Sequence, residues 1–164
     1  INSNDMYYYK SPNPDLLLGL NSKFIYKNFD FGFSMHSSIG NYMYNDVAAR
    51  SHNMSDTGIW SSSGFFVNKP ASALLTNFTN NASNAHMSDY YVQDASFVRV
   101  DNVSLGYSFK NLWKVVRDGR VYVNVQNPLV ITNYTGLDPE VFEGIDRELY
   151  PRPVITMLGV SLKF

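Results

Sequence analysis

Five carboxylates, Asp138, Glu140, Glu143, Asp146 and Glu148, fall within one short stretch of the chain. Oxygen donors so placed suit a hard cation such as calcium, and two carboxylates at a set separation can hydrolyse a glycosidic bond. Their spacing fits no EF-hand loop, however, and sequence does not fix a separation in space. A solvated loop whose Asp138-Pro139 turn shapes the rim of the fold is the plainer expectation. His36, His52 and His86 are scattered, with no i,i+4 or short-spaced pair to build a metal site. Serine, histidine and aspartate all occur, but without a nucleophile-elbow sequence. There is no cysteine, which excludes disulfides, thiolate ligands and a cysteine nucleophile. The sequence therefore calls for no catalytic, metal or cofactor site, and does not read as an enzyme. Asn53-Met54-Ser55, Asn77-Phe78-Thr79, Asn81-Ala82-Ser83, Asn102-Val103-Ser104 and Asn133-Tyr134-Thr135 fit the N-glycosylation pattern. An asparagine-rich chain produces such matches by chance, and Asn102 falls inside a predicted strand.

Composition points away from an ordinary soluble domain. Charged residues make up 16% of the 164, against roughly 25% in soluble domains. Aromatics reach 15%, mostly Tyr and Phe, and the formal net charge is −1. No strong field is present to attract nucleic acid or anionic lipid. A polar, weakly charged, tyrosine-rich chain fits an all-β protein whose strands each have one wet face. No run approaches the ~18 apolar residues of a membrane helix. The start, Ile1-Asn2-Ser3-Asn4-Asp5, shows no signal peptide, as expected of a mature secreted chain or of a piece of a longer one.

The elements are legible as period-two alternation. Leu16, Leu18, Leu20, Phe24 and Tyr26 share one parity, with Ile25 as an exception on the other. Lys27-Asn28 reads as a two-residue hairpin turn. Phe29, Phe31, Phe33, Met35 and Ile39 then face one way, with Asp30, Gly32, Ser34, His36 and Ser38 opposite. Both runs have about the 9–11 residues of a tilted membrane-spanning strand. From 42 to 93 the pattern dissolves into a long polar loop. Alternation returns with Val103, Leu105, Tyr107 and Phe109. Upstream, Arg99 and Asp101 fall on the apolar parity, so either a bulge near Asp101 shifts the phase or that part stands clear of a membrane. A connection at 111–119 leads to Val121, Val123 and Val125. A second loop covers 133–152, and Val154, Thr156, Leu158, Val160, Leu162 and Phe164 close the chain.

About five strands result, joined alternately by short and long connections, as in an up-and-down membrane barrel with its last strand ending on the periplasmic side. Five cannot close a barrel, for which about eight is the minimum. Two open edges are untenable in lipid, so the chain is expected to be part of something larger. Tyr26, Phe29, Tyr107, Phe109 and Phe164 gather near the short-turn ends, where aromatic girdles sit. The alternative is a soluble β-sandwich binding module of carbohydrate-binding type, with the apolar faces buried between two sheets. Trp60, Phe65, Phe66 and Phe78 in the long loop could contact a sugar or a capping partner, or pack the loop on itself.

Several ordered blocks go beyond periodicity. Leu18-Gly19-Leu20 with Phe24-Ile25-Tyr26-Lys27-Asn28-Phe29-Asp30 resembles a hairpin of SusC/RagA-type TonB-dependent transporters, and Gly40-Asn41-Tyr42-Met43-Tyr44-Asn45-Asp46 resembles the loop entry that follows it. Asp94 to Phe109 and Val121 to Asn127 are similar to further segments of that family. Pro128-Leu129 is a small departure. The family's "YtGyDPE…giD…YP" signature is matched by Tyr134, Gly136, Asp138, Pro139, Glu140, Asp146, Tyr150 and Pro151. The resemblance implies the C-terminal part, residues 1–164, of a 22-stranded, plugged outer-membrane barrel, with 42–93 and 133–152 as extracellular loops. It implies glycans or peptides as cargo, a SusD-type surface lipoprotein as lid, and TonB acting through a plug that this chain does not contain. Leu158, Val160, Leu162 and Phe164 would be the signal read by the barrel-assembly machinery.

Overall fold

A computed structural model describes residues 4, 6–52, 70–75, 88–112, 116–147 and 150–164, and the chain divides into two compact units. The predicted features at Trp60, Phe65, Phe66, Phe78, His86 and Glu148, and the sequons at Asn53, Asn77 and Asn81, lie outside the described residues.

The first unit, residues 15–39, 96–133 and 151–164, is a five-stranded antiparallel sheet. Its strands are β1 (Leu16–Tyr26), β2 (Phe29–Ile39), β5 (Phe97–Leu112), β6 (Val116–Thr132) and β8 (Ile155–Lys163), in the order β1-β2-β5-β6-β8. The predicted hairpin is present: Tyr26 pairs with Phe29, and Lys27 takes a left-handed φ of 53°. The Asn28 carbonyl accepts from the Ser108 amide at 2.8 Å, which ties the turn to β5.

The phase problem upstream of Val103 has a bulge as its cause. Ser34 pairs with Asn102 while Met35 pairs with Val100, so Asp101 is an extra residue on β5. The insertion grows across the sheet. Val100 faces Leu129 and Asn102 faces Gln126, which leaves Asn127 and Pro128 as two residues opposite one. Asn127 adopts φ 50°, a conformation that Asn tolerates better than most. Pro128 lacks an N–H, so it sits where the ladder needs no donor. The connection expected at 111–119 is shorter than the sequence suggested. β5 runs to Leu112 and β6 starts at Val116, with Lys110 opposite Asp118. Polar residues on both faces there hide the alternation.

The second unit comprises residues 1–14, 40–95 and 134–150. Here the structure corrects the expectation of featureless loops at 42–93 and 133–152. β3 (Tyr42–Asn45) pairs antiparallel with β4 (Val92–Asp94) and parallel with β7 (Ile145–Asp146). These strands have four, three and two residues, too short to show a period. β3 runs directly into helix α1 (Asp46–His52), which is capped by Asn45: its Oδ1 accepts from the Ala48 amide at 2.8 Å. Met43, Ala95 and Tyr134 form the core, with Val141 packed on it.

Candidate functional site

The register gives the five-stranded sheet two chemically distinct faces. Leu20, Met35 and Val100 follow one another across one face, and Leu105, Val123 and Leu158 do so further along it. The bulge keeps this face apolar past Asp101, because it moves Val98 and Val100 onto it and turns Arg99 to the other. Side chains on this face are exposed, Leu158 at 82% and Val160 at 65%. A sandwich would bury them against a second sheet, and the structure does not. At the hairpin end, the Phe29 and Tyr107 rings lie 4.8 Å apart, and Tyr107 stacks on Phe109 at 6.4 Å.

The opposite face is polar and cross-linked. Arg120 of β6 reaches over β5 to Asp30 of β2, its Nε donating to Oδ2 at 3.1 Å and its Nη2 to Oδ1. The strand between them presents Gly106 at that point, where a Cβ would collide with both side chains. Asp101, the bulge residue, sets Oδ2 2.8 Å from His36 Nδ1, and the imidazole meets the Phe97 ring edge-on. His36 thus stands on the same face as Ser34 and Ser38, as its parity predicted. Gly106→Ala in the intact protein is expected to cost about 1–3 kcal/mol by overpacking, read as a lower urea midpoint. Gly19→Ala, where nothing lies within 4 Å of the new methyl, is expected to leave that midpoint in place.

The structure distributes the signature residues unequally. Tyr134, 5% exposed, donates its hydroxyl to Asp146 Oδ2 at 2.8 Å, and Asp146 is 2% exposed on β7. Burial first, and this hydrogen bond second, push the Tyr134 phenol far above its ordinary pKa. The Tyr134 ring lies against Gly136, in space a side chain there would occupy. Asp138 is buried and its Oδ1 accepts from the Glu140 amide at 2.9 Å, closing a turn around Pro139. Tyr150 and Pro151 are exposed. Asp138 and Asp146 are thus both engaged in holding the loop. Leu158, Val160 and Leu162 lie on the apolar face of β8, and Phe164 lies just beyond its end.

Sequence reasoning gave no buried role to His52, which is 9% exposed. His52 Nε2 is 2.8 Å from Ser72 Oγ, and its Nδ1 is 3.4 Å from the Tyr91 hydroxyl. Burial lowers the His52 pKa, so the neutral ring is the folded form. The unfolded chain then binds more protons below its ordinary value of 6.5. Stability of this unit is therefore complete above that pH and falls as pH drops through 6.5 toward the lower folded value. Proteolysis of the 40–95 region is expected to be faster at pH 5 than at pH 8, and His52→Gln is expected to flatten the difference.

No protein-family model matches the chain. Along its whole length it is similar to the TonB-dependent receptor SusC of Bacteroides thetaiotaomicron, with 47% identity over 168 residues. Two TonB-dependent receptors of Formosa agariphila, P3 and P26, are 29% and 26% identical over 93% and 100% of the chain. The chain spans only 16%, 17% and 18% of the length of these three relatives. Among solved structures, the RagAB peptide importer in its open-open state superposes with a TM-score of 0.71 at 22% identity, covering 94% of this chain and 18% of that one. The closed-closed state gives 0.69 at 21%, with the same coverage. At that identity the likeness is one of fold.

Proposed function

We propose that this chain, a portion of a SusC/RagA-type TonB-dependent transporter, supplies five strands of the barrel wall together with two of the extracellular loops. The observation that carries this reading is the pair of faces. One face is apolar on all five strands and exposed, as lipid requires, while the other is polar and ion-paired. The two open edges, on β1 and β8, call for further strands on either side.

On this reading the protein resides in the outer membrane and imports glycans or peptides under a SusD-type surface lipoprotein. TonB acts through a plug elsewhere in the polypeptide. The unit built from 42–93 and 133–152 contributes to the outer mouth, and Leu158, Val160, Leu162 and Phe164 present the assembly signal. The relatives are receptors and transporters, consistent with a wall segment that performs no chemistry.

The test is the intact mass of the protein extracted from outer membranes, with its co-purifying partners. The chain is 18.6 kDa and covers 16% of its SusC relative, so a polypeptide on the order of 100 kDa is expected, the size of a large plugged barrel. A lipoprotein is expected to co-purify with it. A soluble 18.6 kDa protein would overturn the proposal.

A further inference from the structure

The apolar face of β8 does not by itself fix which residue lies opposite which. A slip of one residue is excluded, because it would turn that face over. A slip of two keeps it. Val121, Val123 and Val125 of β6 now face Val160, Leu158 and Thr156. Moved by two, they would face Leu162, Val160 and Leu158, which is at least as apolar. The choice between these registers has to come from the polar face.

There Tyr122 of β6 stands between two glycines, paired with Gly106 on β5 and with Gly159 on β8. The far end of its ring occupies the space over Gly159 that a Cβ would fill. Gly159 is the one glycine of β8 and the one residue of that strand that is not exposed. The Arg120 guanidinium lies over the same ring, 5.1 Å from its centroid. Arg120 is in turn held by Asp30 across the bare backbone of Gly106. One linked set of side chains therefore spans β2, β5, β6 and β8. Sliding β8 by two residues would bring Met157 or Ser161 opposite Tyr122, and either one puts a side chain where the ring now lies. We propose that Tyr122 seated on Gly159 is the register lock of β8, the device that selects one pairing among those the apolar face accepts equally. An aromatic ring laid over a glycine of the neighbouring strand is a known means of pinning register. The inference concerns the pairing of β6 with β8 and does not depend on what lies against the apolar face.

The experiment uses the full-length protein with pairs of introduced cysteines, since this segment has none of its own. Val123 and Leu158 are direct partners, so Val123→Cys with Leu158→Cys reports the native register. Val123→Cys with Val160→Cys reports the register slipped by two. Opposed Cβ atoms stand about 4.5–5.5 Å apart and diagonal ones farther, and a disulfide needs ~3.8 Å, so each pair closes efficiently only in its own register. With Tyr122 and Gly159 in place, the first pair alone is expected to close. Gly159→Ser with Ser161→Gly moves the seat by two residues. It is expected to raise the slipped disulfide relative to the native one about tenfold, as overfilling a packed position would. A ratio unchanged by the exchange would overturn the inference. If the exchanged protein does not fold, adding Tyr122→Ala decides the matter. Recovery of folded protein would show that the ring was the obstacle, and no recovery would overturn the lock.

Discussion

Val123→Arg is expected to remove most of the folded protein from the outer membrane. Val123 lies on β6, inside the sheet, with Leu105 beside it on β5 and Leu158 on β8. Val121 and Val125 flank it on the same face, and Thr156, opposite Val125 on β8, carries no charge to pair with it. An arginine on the lipid side of a barrel costs about 2–4 kcal/mol near the midplane, a large share of the 5–15 kcal/mol by which proteins are typically stable. The control is one residue away: Asn124→Arg turns the same guanidinium to the polar face and is expected to fold. The readout is the fraction of outer-membrane protein that keeps heat-modifiable mobility on a gel. If Val123→Arg inserts normally and Asn124→Arg does not, the two faces have been assigned the wrong way round.

The second large effect concerns the loop-bearing unit. Tyr134→Ala is expected to cost about 3–5 kcal/mol, the usual range for deleting a buried aromatic ring. Tyr134 shares its core with Met43 and Ala95, which come from segments also joined by the β3–β4 and β3–β7 ladders. Tyr134→Phe separates packing from polarity. It keeps the ring but leaves Asp146, 2% exposed, without the hydroxyl that donates to it, at an expected cost of about 1–3 kcal/mol. Protease protection of the 134–150 region reports both. A Tyr134→Phe variant as protected as the wild type would mean that the hydroxyl contributes nothing, and the signature tyrosine would be there for its ring alone.

The sequence spoke most clearly where the physics is local. Alternation placed all five strands of the sheet, and Lys27-Asn28 marked its first turn. Arg99 and Asp101 on the wrong parity left a bulge and a segment clear of a membrane as alternatives, and the register shows the bulge, since a single inserted residue inverts every side chain beyond it. It was silent on the three-stranded sheet. β7 is two residues long and β3 only four, and a parallel partner far away in sequence leaves no periodic trace. The Asp30–Arg120 pair was equally hidden, since it joins strands that are not neighbours and depends on the bare backbone of Gly106 between them. The signature residues were legible as a set, but sequence could not divide those that hold the loop, Tyr134, Asp138 and Asp146, from Tyr150, which projects freely.

The parallel pairing of Tyr44 with Ile145 also bears on the order of events in folding. Closing a loop of about a hundred residues at random is entropically expensive and slow. The antiparallel ladder shortens that search. Once Leu16 lies beside Ile39, Ser38 beside Phe97, and Phe97 beside Thr132, the points from which β3, β4 and the Tyr134 loop depart have already been gathered. The three-stranded sheet then becomes a late, inexpensive step.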